Sequence, residues 1–169
     1  MKKELVLFVM MLLPLVASAE LKEIDGIFYN LEHDTKTAEV TNGKVYSGEI
    51  EIPESFTYEN ETYIVNSIGD FAFYECTSLT SIILPERLQS VGNSAFSGCS
   101  SISNLTIPSN VTIIGNRCFS ACSQLNGIIL PSKLVSVGDY CFNGCVALSD
   151  ITIPNGVNLL GDYCFYDCI

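Results

Sequence analysis

The chain has little positive charge: 8 Lys and Arg stand against 19 Asp and Glu, a formal net charge of −11 over 169 residues. Such a surface is repelled by phosphate and by anionic membrane surfaces, which excludes nucleic-acid binding. Histidine is almost missing. A single His33 cannot build a His-rich metal centre and leaves little scope for Ser/His or Cys/His catalysis. It falls in a polar turn, where an exposed and idle imidazole is expected. No Gly-rich phosphate loop, Asp-x-Asp-x-Asp-Gly calcium loop or nucleophile–base pair occurs. The expectation is a protein that is not an enzyme and uses neither cofactor nor metal.

Long apolar runs are scarce as well. Leu5–Val16 is a run of 12, short of the ~20 residues that a membrane-spanning helix needs. It follows Lys2 and Lys3 and precedes Ala17-Ser18-Ala19, the layout of a secretory signal cleaved after Ala19. Residues 1–19 are therefore read as an export signal, with no membrane insertion after its removal. The remaining chain, at −12, is expected to be secreted or held at the cell surface.

Cysteine and repetition are what the chain has in quantity. From Ile68 it can be cut every 23 residues without a gap: four units and a partial fifth. Gly holds the second place (Gly69, Gly92, Gly115, Gly138, Gly161) and Phe the sixth (Phe73, Phe96, Phe119, Phe142, Phe165). Cys holds the ninth (Cys76, Cys99, Cys122, Cys145, Cys168) and Pro the eighteenth (Pro85, Pro108, Pro131, Pro154). Within a unit, Leu79-x-x-Ile82-x-Leu84 puts alternate residues inward on a short strand, which Pro85 ends for want of an N–H. Gly92 allows a tight turn. Ala95, Phe96 and Cys99 then follow at helical spacing. One such unit cannot bury its apolar face alone, but stacked units can.

The pattern L-x-x-I-x-[IL]-P-x-x-[VL]-x-x-[IV]-G-x-x-[AC]-F-x-x-C resembles the leucine-rich repeats of BspA-like bacterial surface proteins, closely over residues 68–169 and more loosely before them. The expected fold is an α/β solenoid. It is a leucine-rich repeat stack with a parallel concave sheet, short helices or turns on the convex side and an N-terminal β-hairpin cap. The resemblance implies adhesion to host matrix proteins or co-aggregation between bacteria.

The eight cysteines fall in two columns. The fifth place runs Ala72, Ala95, Cys118, Cys141, Cys164, so it wants a small apolar group, and buried free Cys behaves as one. A disulfide framework is the alternative that export and an even count raise. Yet Cys118 and Cys122, at i and i+4 on a helix, would sit ~5–6 Å apart at Cβ, against the ~3.8 Å of a disulfide. No His converges to make a metal site. The Phe column is read as ordinary stacked core. Asp70, Asp139 and Asp162, with Asn at the same place in the other units, are read as turn or helix-cap residues.

Residues 20–67 differ in kind. Ile24–Leu31 and Thr37–Thr41 flank a polar turn and read as a hairpin. Glu49-Ile50-Glu51-Ile52-Pro53 reads as the strand of an imperfect, longer first unit, since Pro53 lies 32 residues before Pro85 rather than 23. Together they are expected to cap the stack. This segment carries 11 acidic and 3 basic residues, −8 of the total. At the other end the sequence stops in an unfinished unit at Ile169 and reads as a truncated stack.

Residues between the inward strand positions form two outward columns: Ser81, Asn104, Gly127, Asp150 and Ile83, Thr106, Ile129, Thr152. Units one and three share 11 of 23 residues, units two and four 10, and adjacent units no more than 8, which marks a 46-residue super-repeat. Exposed Ile83 and Ile129 then recur every ~10 Å, a candidate surface for a protein ligand. The leading expectation is a secreted or surface protein-binding module of adhesin type. Its partner would be a host matrix or bacterial surface protein. The alternative is a structural spacer or stalk without a ligand of its own.

Overall fold

The computed structural model describes residues 19–168. The expected export signal lies outside the described residues, except for Ala19. Strands β1 (Glu20–Ile24), β2 (Ile27–Glu32) and β3 (Thr37–Val40) form an antiparallel meander. Alternation in β2 drives Ile27, Tyr29 and Leu31 inward and leaves the residues between them half-buried. Strand β4 (Ser47–Glu51) is followed by an antiparallel hairpin of β5 (Ser55–Tyr58) and β6 (Glu61–Ile68). That hairpin accounts for the extra length between Pro53 and Pro85. β6 then pairs in parallel with β3, which joins the antiparallel meander to the parallel strands that follow.

Beyond β6 the chain makes β7 (Ser78–Ile83), β8 (Ser90–Val91), β9 (Asn104–Thr106), β10 (Ile113–Ile114), β11 (Gly127–Ile129), β12 (Ser136–Val137) and β13 (Leu159–Leu160). The main sheet has nine strands in the order β1-β2-β3-β6-β8-β10-β12-β13, parallel along that order from β3 onward, with β5 antiparallel against β6.

This corrects the expected sheet. The strands read from Leu79-x-x-Ile82-x-Leu84 pair only in twos, β4 with β7 and β9 with β11. The continuous ladder runs instead through Ser90-Val91 and its equivalents. Two causes are visible. The proline after each expected strand supplies no N–H, so that ladder stays short. Each second-place glycine brings backbone against backbone on the other side, and its N–H continues the main ladder: Gly92 N to Ile68 O and Gly115 N to Val91 O, both 2.8 Å.

The expected helices are also corrected: the described residues contain none. The fourth and eighth residues of each unit (Ser94 and Gly98 in the second) have φ between 51° and 79°, left-handed values that stop a right-handed helix. Reverse turns close there, Ser97 N to Ser94 O and Cys99 N to Phe96 O. The remaining N–H groups leave the unit. Ser94, Phe96 and Gly98 donate to the carbonyls of Asn116, Cys118 and Ser120 in the next unit, each at 2.8 Å. The N–H and C=O of one planar peptide point opposite ways. Alternate peptides therefore lie along the stack and tie each unit to both neighbours.

The core is one cluster running from Ile27 to Cys164. The phenyl rings of Phe73, Phe96, Phe119, Phe142 and Phe165 stack at 5.0–5.5 Å, within 11° of parallel. Tyr46 closes the column at the cap end, 5.1 Å from Phe73, with its hydroxyl accepting the Phe28 N–H.

Candidate functional site

The two outward columns lie on the face built by β4, β7, β9 and β11. Alternation puts Ile82, Leu105 and Ile128 into the core, while Ile83 and Ile129 stand 59% and 65% exposed. Asn104, Thr106, Asp150 and Thr152 are exposed as well, and Ser81 and Gly127 are half-buried. The register extends both columns into the cap, with Glu49 opposite Ser81 and Glu51 opposite Ile83. These two carboxylates are part of the face and were missed by the 23-residue count. The strand-like Glu49–Pro53 run is the signal that could have placed them.

Among the described residues no ladder joins β7 to β9, or β11 to residues 150–152. Open grooves lie at these breaks. One, of about 680 Å³, is lined by Asn104, Thr106, Gly127, Ile129, Asp150 and Thr152 among others. The other, of about 340 Å³, takes in Ile83, Asn104 and Thr106. Ser81 borders neither. The breaks fall every second unit, the same interval as the super-repeat.

The cysteine and aspartate columns are structural in their contacts. All eight cysteines are free thiols, seven of them buried. Each ninth-place thiol from the second unit on donates to the phenylalanine carbonyl of the unit before: Cys99 to Phe73, Cys122 to Phe96, Cys145 to Phe119 and Cys168 to Phe142, at 2.9–3.1 Å. Burial pushes the Cys99 and Cys145 thiols up to about 12 from an ordinary 9.0, so these groups are poor nucleophiles. The third-place residues are not helix caps. Their side-chain oxygens accept the third-place N–H of the next unit, Asp70 to Asn93, Asn93 to Asn116, Asn116 to Asp139 and Asp139 to Asp162.

His33 is not idle. Its Nδ1 lies 2.6 Å from the Tyr63 hydroxyl and its Nε2 3.1 Å from Glu20 Oε2. The ring thus ties β1 and the polar turn to β6. The cap's three lysines are engaged too: Lys22 with Glu20, Lys36 with Glu61 and Lys44 with Glu23. Among the described residues no three His, Cys, Asp or Glu side chains converge to hold a metal ion. Among the same residues, no helix is long and apolar enough to cross a membrane.

Comparison with known proteins follows the repeats. Residues 47–169 match the model of the BspA type Leucine rich repeat region in six copies. The crystal structure of the T. pallidum Leucine Rich Repeat protein (TpLRR) is similar with 27% identity and a TM-score of 0.78, over 88% of this chain and 68% of that one. A leucine rich cell surface protein from Faecalibacterium prausnitzii A2-165 is 25% identical with a TM-score of 0.54, over 89% and 53%. Pneumococcal vaccine antigen PcpA, 16% identical with a TM-score of 0.67 over 90% and 48%, shares the fold alone. The chain thus spans about two-thirds of the first of these proteins and about half of the other two. A search of curated proteins gave no match.

Proposed function

The chain belongs to the BspA-type leucine-rich repeat family, and from that premise we propose that it is an exported protein-interaction module of adhesin type. In this reading it is not an enzyme. It works at or beyond the cell surface and engages a host matrix protein or a surface protein of a neighbouring bacterium. The contact surface is the face of β4, β7, β9 and β11, as the concave side of a solenoid. The observation that carries this reading is the pair Ile83 and Ile129, two β-branched side chains more than half exposed at equivalent places two units apart on this face. Exposed apolar residues in such a row are what a protein partner covers. The polar residues around them, Asn104, Thr106, Asp150 and Thr152, would form the rim. Export is supported by the layout of residues 1–19 and by β1 starting at Glu20, directly after the expected cleavage point.

The test is a binding screen of the full chain against purified extracellular-matrix proteins and intact bacterial cells. The parent is expected to bind at least one. An Ile83→Asp/Ile129→Asp variant is expected to lose roughly tenfold or more in affinity, on the order of 1.4 kcal/mol, with an unchanged circular dichroism spectrum. Undiminished binding by the variant would remove this face from the proposal. The unbroken Phe, Cys and Asp/Asn ladders favour a second reading, a stiff spacer within a longer surface protein. A screen in which the parent binds nothing would favour it.

A further inference from the structure

The repeats carry three cations, Arg87, Arg117 and Lys133, and two of them share one groove. It measures about 550 Å³ and lies beside β6, β8 and β10, away from the face proposed for protein binding. Two columns build it. Arg87, Asn110 and Lys133 occupy the twentieth place of successive units. Asn66, Gln89 and Thr112 occupy the place two residues further on, and the twentieth-place residues, each in the turn after a proline, line the same groove as this second column. The second column is held by main-chain bonds, Gln89 N to Asn66 O at 2.8 Å and Thr112 N to Gln89 O at 3.0 Å. Lys133 Nζ donates to Asn110 Oδ1 at 2.8 Å, and Asn110 Nδ2 to Glu86 O at 2.9 Å.

Among the described residues, neither Arg87 nor Lys133 has an acidic partner within ion-pair distance; the ion pairs are those of Lys22, His33, Lys36 and Lys44. Glu54 lies near but is occupied with the backbone N–H groups of Glu86 and Arg87, and Glu86 takes the Ser109 hydroxyl. Neither carboxylate enters the groove. In a chain of net charge −11, the groove thus holds two cations that form no ion pair.

We propose that this groove binds a linear acidic polysaccharide with a carboxylate or sulfate on alternate sugars. Arg87 and Lys133 stand two units apart, ~10 Å at the strand spacing of a parallel sheet, with an amide between them. A polymer of alternating acidic and neutral sugars presents charge, hydroxyl, charge along its length. Asn66, Gln89 and Asn110 each offer both donors and acceptors, which suits sugar hydroxyls. An acidic peptide fits less well: Ile64 is the one aliphatic side chain in the wall, so the apolar anchors that usually carry peptide affinity are missing.

The full chain would be titrated with fluorescent chondroitin sulfate and hyaluronan, and with dextran and polyglutamate as neutral and peptide counterparts. Binding to chondroitin sulfate or hyaluronan is expected, weakening as salt rises, with none to dextran. Both polymers carry a carboxylate on alternate sugars and chondroitin sulfate adds sulfate to the sugars between, so equal binding would identify the shared carboxylate, and chondroitin sulfate above hyaluronan the added sulfate. Arg87→Gln/Lys133→Gln should reduce affinity at least roughly tenfold. Arg117→Gln should leave it unchanged, because Arg117 lies over the Tyr140 ring outside the groove. Ile83→Asp/Ile129→Asp should also leave it unchanged, so failure here is separable from failure of the protein-binding face. Absence of binding to both acidic glycans, indifference to the double substitution, or equal binding of polyglutamate would overturn the proposal.

Discussion

Gly115 shows how closely the units approach. A Cβ built on it would lie 2.6 Å from the Asn93 nitrogen and the Gly92 carbonyl carbon of the preceding unit. These are backbone atoms that cannot step aside. The column needs glycine for this approach rather than for a left-handed turn, since the positive φ values fall on the fourth and eighth residues, few of them glycine. Gly115→Ala is expected to cost about 1–3 kcal/mol by urea unfolding, as overpacking does. A variant as stable as the parent would mean that the units can separate without loss. The cysteines divide by the same kind of reasoning. At the fifth place Ala72 and Ala95 are buried as fully as Cys118 and Cys141, so the site asks only for small volume. At the ninth place the thiol reaches a carbonyl of the preceding unit, which Ala could not do. The repeat showed both columns, but the difference between them lies in a contact 26 residues away.

At the scale of elements, the turn segment and its phenylalanine are the unit of cohesion. Phe119 is buried and stacked on both sides, at 5.5 Å from Phe96 and 5.4 Å from Phe142. Phe165 is half-buried with Phe142 on one side. Phe119→Ala should therefore cost ~3–5 kcal/mol and Phe165→Ala clearly less, both by chemical denaturation. Equal costs would show that the stack does not depend on neighbours. The segment was legible as a compact element but not as the right one. Ala95, Phe96 and Cys99 have the spacing of a helical turn, and two overlapping reverse turns produce the same spacing. What separates them is where the N–H groups go, and those partners belong to another unit. The hairpin of β2 and β3 was legible because its turn and both strands are local, but β1 was not: the expected strand Ile24–Leu31 is interrupted by the positive φ of Asp25 and Gly26, where the chain reverses between β1 and β2.

For the molecule as a whole, the buried thiols couple stability to alkaline pH. Cys99 and Cys145 are held near 12 by burial, against 9.0 when exposed. Cys118 and Cys122 are pushed up for the same reason. A thiol raised in the folded state favours folding fully below the unfolded value, and that stability is lost as pH rises towards the folded one. The midpoint of thermal unfolding in reducing buffer is therefore expected to fall between about pH 9 and pH 12. Tyr29 and Tyr46, raised by burial in the cap, add a loss of the same sign. Cys164, lowered by its hydrogen bond with Cys141, opposes it. A Cys99→Ala/Cys145→Ala variant should start less stable and show a shallower alkaline decline. An equally steep decline would remove the thiols as its cause.

The amino-acid sequence by itself determined the repeat, its period, the inward columns, the reversal between β2 and β3 and the outward rows that carry the proposed protein-binding face. Each of these is a pattern along one stretch of chain, set by alternation, proline and buried volume. Only the tertiary structure decided that the long ladder runs through Ser90-Val91 rather than Ile82–Leu84. It also decided that turns replace helices, that His33 reaches Tyr63 and Glu20, and that Arg87 and Lys133 meet amide side chains in one groove. Apart from His33 with Glu20, 13 residues away, these depend on hydrogen bonds and approaches between residues about 23 or more apart. A local pattern says which side of the chain faces inward, and the partner met there is set by how the units stack.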